Sequence, residues 1–180
     1  MNKRYEILDI LHQDAHGVSY HAFDRERQAE VVVRRFFPFG PDGRGLEAEE
    51  KAAYEIGISR LKELQHPAIR AVLDGGADPV DNMPFLVTEW IEGQPLDQSL
   101  TAGPLSPESA RALADLALDC SLTLSNVFGE EAVWVETDPS TIVIGEEGTG
   151  RSATFWIAPL RWLGDPSQRS DLKPLLHMVE

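Results

Sequence analysis

The sequence predicts an α+β chain: a β-rich first half with one helix, a short linker, then a long helix among short strands. Three observations predict it. Within residues 1–90, alternating or β-branched runs recur around a single stretch with helical spacing. Ile91-Glu92-Gly93-Gln94-Pro95 then breaks the pattern. Beyond it, Ser106-Pro107-Glu108 is a strong helix start, with a serine N-cap, proline at the first helical position and an acid near the positive dipole end.

Each element follows from its residues. Tyr5, Ile7 and Ile10 open a strand, and Val18, Tyr20 and Ala22 alternate along a second. The polar turn Asp24-Arg25-Glu26-Arg27 leads into Val31-Val32-Val33-Arg34-Arg35-Phe36-Phe37, a β-branched and aromatic run ended by the Gly/Pro-rich stretch 38–45. A helix is expected from about Glu47 to Gln65, because Tyr54, Ile58, Leu61 and Leu64 share one face and Pro67 closes it. Ile69 to Leu73 and Pro84 to Trp90 read as two further strands, joined by a Gly- and Asp-rich loop over 74–83. In the helix that Ser106 starts, Leu113, Leu116, Ala117, Cys120, Leu124 and Val127 form the stripe to be buried. Ala132 to Val135, Thr141 to Ile144 and Ala153 to Ile157 are short strand-like runs.

Composition narrows the function. The chain has 180 residues, 42% of them hydrophobic, which suits one compact domain or two small lobes. Acids outnumber bases 30 to 16, for a net charge of −14. With no basic stripe to release counterions, nucleic-acid binding is not expected, and anionic lipid is repelled. Cys120 is the single cysteine, so an internal disulfide and a cysteine-based zinc site are both excluded, and a buried structural thiol is the default. The N-terminal residues carry no signal-peptide core and no apolar run approaches a membrane span, so a cytoplasmic segment is expected, on its own or as the cytosolic domain of a larger or membrane-attached protein, without direct membrane insertion.

Several candidate sites have plainer explanations. His12 and His16 sit on a predicted turn rather than one helix face, which argues against a metal pair. Glu47, Glu49 and Glu50 suit a solvated helix start, and Ser106, Ser140 and Thr141 suit caps and turns. No Ser-His-Asp or Cys-His arrangement stands out by spacing.

In order along the chain, "YEILDIL", "HGVSYHAFDRERQAEVVVRRF", "LKELQHPAIRAVLDGG", "MPFLVTEWIEGQPL", "LSPESARALADLAL" and "DPSTIVI" resemble successive segments of a eukaryotic-like, bacterial Ser/Thr-type protein kinase. The resemblance implies a protein-kinase-like fold. Its N-lobe, a five-stranded antiparallel sheet with one helix, would span 1–90 and its hinge 91–95. A truncated or reduced, mainly helical C-lobe would occupy 96–180. "QRSDLKPLL" resembles the start of the central C-lobe helix at Ser170 and Asp171, and the chain ends at Glu180, so a longer parent protein is expected. Trp134, Phe155, Trp156 and Trp162 crowd this region and read as core, an exposed subset marking an interface.

The resemblance also assigns positions, and many hold the wrong residue. The glycine-rich loop falls on His12 to Ser19, where only Gly17 keeps its glycine. Asp14 brings a charge near the phosphate positions, which at ~5 Å and an effective dielectric near 20 costs about 3 kcal/mol against another anion; capping a tight hairpin is the favoured role for it. The strand-3 lysine is Arg34, Val32 stands where an alanine is usual, and the helix glutamate is Gly57, with Glu55 on another face. The catalytic triplet becomes Trp134-Val135-Glu136, the following lysine Asp138 and the metal-binding asparagine Thr141. Glu136 is a conceivable base, but its carboxylate stands about one methylene too far out, and a displacement near 1 Å costs on the order of 100-fold. The metal-binding D-F-G triplet falls on Ile157-Ala158-Pro159, and no acid occurs from Arg151 to Leu163.

The resulting expectation is a non-enzymatic pseudokinase, a protein-binding, scaffolding or regulatory module with a protein partner or a second copy of itself. Its catalytic positions Arg34, Gly57, Glu136, Thr141 and Ile157 are degenerate, and no metal or other cofactor is expected. Any nucleotide would meet Gly17, Val32, Arg34, Thr88, Glu89, Ile91 and Val143. The alternatives are a nucleotide-binding switch without transfer and an atypical active kinase using Glu136.

Overall fold

The structure is a computed structural model that describes residues 4–129, 134–145 and 153–158. The described residues form two compact units, 4–65 with 71–90, and 66–70 with 91–158.

The first unit is built on β1 (Tyr5–Asp14), β2 (Gly17–Asp24), β3 (Ala29–Phe36), α1 (Ala48–Leu61), β4 (Val72–Ala77) and β5 (Pro84–Glu89). The strands form one antiparallel sheet in the order β1-β2-β3-β5-β4. Val31, Val32 and Val33 are all buried, so β3, in the middle of the sheet, buries side chains on both of its faces. Tyr5, Ala22, Val31, Val33 and Val87 make the core on one face, with Leu73 and Phe85 packed against them. Strand alternation puts Val32, Arg34, Leu86 and Thr88 on the other face, and the register aligns Ser19 with Arg34 and Val32 with Thr88.

Helix α1 begins at a turn in which the Glu47 amide donates to Glu50 Oε2 at 2.8 Å, and Glu50 is clamped by Arg44 at 2.6 and 2.9 Å. It buries Tyr54, Gly57, Ile58 and Leu61 and stops there, short of the expected Gln65. Tight turns follow, Glu63 N to Arg60 O and Leu64 N to Leu61 O, and they leave Leu64 only half-buried. The fourth strand also differs from expectation: it runs from Val72, not Ile69. Ile69 bridges Phe155 in the second unit instead. There the Phe155 amide donates to Ala68 O at 2.8 Å and the Arg70 amide to Phe155 O at 3.3 Å.

The second unit holds β6 (Gly93–Pro95), α2 (Leu96–Leu100), α3 (Pro107–Phe128), β7 (Trp134–Val135), β8 (Val143–Gly145), β9 (Ala153–Thr154) and β10 (Ile157–Ala158). The Ser106 hydroxyl accepts the Ser109 amide at 3.1 Å and caps α3 as its sequence requires. Ala110, Leu113, Ala117, Cys120, Leu124 and Phe128 are buried. Val127 is exposed, so the stripe ends on Phe128, which lies four residues after Leu124 and keeps to the same face. Part of the expected linker is a strand: β6 pairs with β8, which pairs in turn with β9, while β7 pairs with β10. Phe155 and Trp156 are buried as core. Trp162, Ser170, Asp171 and the Trp134 side chain lie outside the described residues.

Candidate functional site

On the first unit, the segment aligned with a glycine-rich loop is the β1–β2 hairpin, in which Asp14 pairs with Gly17. Asp14 Oδ1 accepts the amides of His16 at 2.7 Å and Gly17 at 2.9 Å, while His12 Nε2 lies 3.2 Å from Oδ2. Capping is therefore its structural role. Partial burial works against the charged carboxylate, but the His16 amide, the His12 ring and the charge of Arg34 outweigh it, so its pKa lies below the ordinary aspartate value. Gly17 is irreplaceable for a local reason, since a Cβ there would stand 2.3 Å from the Arg35 carbonyl oxygen.

Behind the hairpin, β3 and β5 place Val32, Arg34 and Thr88 on one face, all three buried, with Glu89 half-buried at the end of β5. The Arg34 guanidinium lies 5.1 Å from the centre of the Phe36 ring, a cation–π contact. Gly57 is buried on α1 and brings no carboxylate. Glu55 is exposed and pairs with Lys51 at 4.0 Å, so the two positions that might have supplied a glutamate do not. One turn before Gly57, Tyr54 is fully buried and donates to the Phe85 carbonyl at 3.1 Å. Glu89 accepts the Ala71 amide at 2.9 Å through its side chain, and its own amide donates to Ala71 O at 3.0 Å.

On the second unit, β7 and β10 bring two of the distant positions together. Val135 pairs with Ile157, and the Glu136 amide donates to the Trp156 carbonyl at 2.9 Å. Glu136 is buried at 8% exposure, so a carboxylate does stand where the catalytic acid of the resemblance falls. Asp138 builds a turn: its carboxylate accepts the Ser140 amide at 2.9 Å and hydroxyl at 2.6 Å, and its carbonyl accepts the Thr141 hydroxyl at 2.8 Å. Ile91 is half-buried and Val143 buried, both in this unit.

The resemblance places Thr141 and Ile157 at the kinase-type magnesium positions. Mg²⁺ demands oxygen ligands in near-octahedral geometry. Thr141 donates its hydroxyl proton to the Asp138 carbonyl and keeps its oxygen lone pairs, whereas Ile157, at 2% exposure, is hydrocarbon and offers no ligand atom. Among the described residues, no three His, Cys, Asp or Glu side chains gather as a metal site.

The structure also assembles a group that spacing did not reveal. His66 Nε2 lies 3.0 Å from Asp119 Oδ2, and Cys120 Sγ lies 3.7 Å from His66 Nδ1. The order Cys–His–Asp suggests a nucleophilic triad, but two observations oppose it. Nδ1 already accepts the Ala68 amide at 3.1 Å, so the ring serves the His66-Pro67 turn. Cys120 is fully buried, and burial, with Asp119 nearby, pushes its thiol up to about 12, far from a reactive thiolate. The cluster is a staple between this turn and α3. No fixed interval in the sequence signals it, because His66 lies more than fifty positions before Asp119 and Cys120.

No family model matches the chain. Curated relatives do. It is 28% identical over 167 residues to a Streptomyces coelicolor protein named a probable serine/threonine-protein kinase, covering 90% of this chain and 23% of that protein. It is 24% identical over 159 residues to the DNA damage-responsive serine/threonine-protein kinase RqkA of Deinococcus radiodurans, covering 87% and 22%. The Bacillus subtilis serine/threonine-protein kinase PrkC is 25% identical over 157 residues, covering 86% and 23%. The chain thus spans under a quarter of the length of these relatives. Among solved structures, the Mycobacterium tuberculosis PknI kinase domain superposes with a TM-score of 0.67 at 14% identity, over 92% of this chain and 63% of that one. Rad53 in complex with AMP-PNP gives 0.63 at 16%, over 86% and 38%.

These findings correct one expectation. The missing acids led to the reading that the chain is not an enzyme, yet the relatives it matches are named as serine/threonine protein kinases, which are enzymes. With its five-stranded sheet, its helix α1 and these similarities, the chain has a protein-kinase-like fold and is similar to bacterial serine/threonine protein kinases.

Proposed function

We propose that this chain is a regulatory, protein-binding module of the kinase family, the cytoplasmic kinase-like part of a longer signalling protein. The observation that carries the reading is the edge strand of the sheet. β1 stands last in the strand order and is ten residues long. It exposes four large apolar side chains: Ile7 at 41%, Leu8 at 51%, Ile10 at 55% and Leu11 at 39%. Two register shifts against β2 fall at Leu8 and Leu11. An edge strand with four exposed apolar side chains, even one interrupted by two irregularities, is open to a further polypeptide. The test is a photo-crosslinking residue at Leu8 of the full-length parent in its native host, with the same residue at Ile56, 65% exposed on α1, as the control. Adducts with another polypeptide or a second copy are expected at position 8. Yields no higher than at position 56 would refute the reading.

A second reading is phosphoryl transfer itself, favoured by the names of the relatives and by the carboxylate of Glu136 standing at the end of β7. Glu136 would then accept the proton of the substrate hydroxyl. On this reading, incorporation of labelled phosphate by the full-length protein falls about 100-fold in Glu136→Gln. Equal incorporation by both forms would remove Glu136 from the chemistry.

A further inference from the structure

The second unit contains a cavity of about 310 Å³ between α3 and the strands β8 and β9, within the size range of small-molecule sites. Its walls are aliphatic, with Leu113 and Leu116 of α3 on one side and Ile144 of β8 and Ala153 of β9 on the other. Leu113 and Ala153 are buried, whereas Ser109 and Ala112 are exposed, so the cavity has a hydrocarbon floor and a mouth beside the first turns of α3. Two hydroxyls reach the wall, and both are hydrogen-bonded beside it. Ser109 Oγ lies 2.9 Å from Ser106 Oγ, and Ser99 Oγ lies 3.2 Å from Gln94 Oε1. No lining side chain carries a charge. Ordered water needs about three hydrogen-bond partners, which such walls do not supply, so water inside is displaced at little cost.

We propose that this cavity is a binding site for an uncharged aliphatic small molecule of roughly ten carbon atoms, since an apolar cavity of about half the volume takes benzene. A charged group gains nothing by entering, because the lining offers no opposite charge to offset its lost hydration. The site is distinct from the positions assigned to a nucleotide. Of these, Val143 is the neighbour of Ile144, and adjacent residues of a strand point to opposite faces. The proposal concerns the second unit alone and does not rest on any partner at the β1 edge, so the crosslinking result and the present test fail separately.

The probe is 1-octanol, titrated into the 180-residue chain and followed by methyl and amide NMR. Saturable binding below millimolar concentration is expected, with the resonances of Leu113, Leu116, Ile144 and Ala153 moving. 1,8-Octanediol should bind about tenfold more weakly, because one of its hydroxyls must enter hydrocarbon. Ala112→Phe fills the mouth, and Leu116→Gln keeps the volume while making the wall polar. Each should weaken octanol binding about tenfold, whereas Ile56→Ser, at an exposed position on α1 of the first unit, leaves it unchanged. Should one cavity variant fail to fold, the other decides alone. The proposal is overturned if binding does not saturate, or if a folded cavity variant binds octanol as tightly as the parent. It is equally overturned if the moving resonances lie on β1, which would mean uptake by exposed apolar surface.

Discussion

Replacing Arg4 with alanine is expected to cost the first unit about 3 kcal/mol, the scale for breaking a buried ion pair. Arg4 is a three-way clamp. Its Nε and one terminal nitrogen grip Asp24 in a fork at 2.9 and 2.7 Å, and the other terminal nitrogen reaches Asp74 at 2.7 Å. Tyr5 donates to the same Asp74 oxygen at 2.7 Å. Asp24 is fully buried and accepts the Glu26 and Arg27 amides as well, so one side chain ties the start of β1 to the end of β2 and to β4. Removing the guanidinium leaves a buried carboxylate with only the half-exposed Arg27, 3.6 Å away, as its cation, which is why the cost exceeds that of an exposed pair.

The loss should also depend on pH, with a definite sign. The Arg4 fork, opposed by burial and helped by the two amides, holds Asp24 down to about 2, well below an unfolded aspartate near 3.9. A depressed carboxylate contributes stability that is complete above the unfolded value and is lost as pH falls toward the folded one. Urea unfolding should therefore show the full gap between Arg4→Ala and the parent at pH 7, and a gap that closes from about pH 4 down to pH 2. A gap unchanged at pH 2 would mean that Arg4 acts through packing on Tyr5, whose ring lies 4.9 Å from it, and not through Asp24.

In the second unit, Phe155→Ala should cost about 4 kcal/mol, the range for emptying a buried aromatic site. Phe155 has no exposed surface, and both of its backbone groups are used, by Ala68 and by Arg70. Ala68, Ile69 and Trp156 beside it are buried as well. The backbone pairing restrains the surroundings from collapsing into the cavity, and the cost is greatest where collapse is least possible. Phe155→Leu, which keeps most of the volume, should lose about 1 kcal/mol. Urea titration followed by far-UV circular dichroism checks both. Equal losses for the two variants would show that the site tolerates a cavity and that this segment is not core.

Much of the fold was legible in the sequence because its signals are local. Alternation in Val18, Tyr20 and Ala22, the β-branched run at Val31, the one helical face through Tyr54, Ile58 and Leu61, and the cap at Ser106 each act within a turn or a strand. The capping role of Asp14 was legible for the same reason, since its partners are two and three residues away. The pattern of segments pointed to the family, whereas the conclusion that degenerate positions mean no enzyme did not survive comparison with the relatives.

What the tertiary structure alone decided lies in contacts between residues far apart. Local pattern placed Ile69 in the fourth strand, but pairing with Phe155 claims it, and the strand begins at Val72. Gly93 to Pro95 carry no strand signal, yet β8 supplies a ladder to join. The clamp at Arg4, the staple of His66 to Asp119, and the meeting of Glu136 with Trp156 join positions twenty or more apart. Spacing fixes which way a side chain points on its own element, while the partner it meets is fixed only when sheets and helices close on one another.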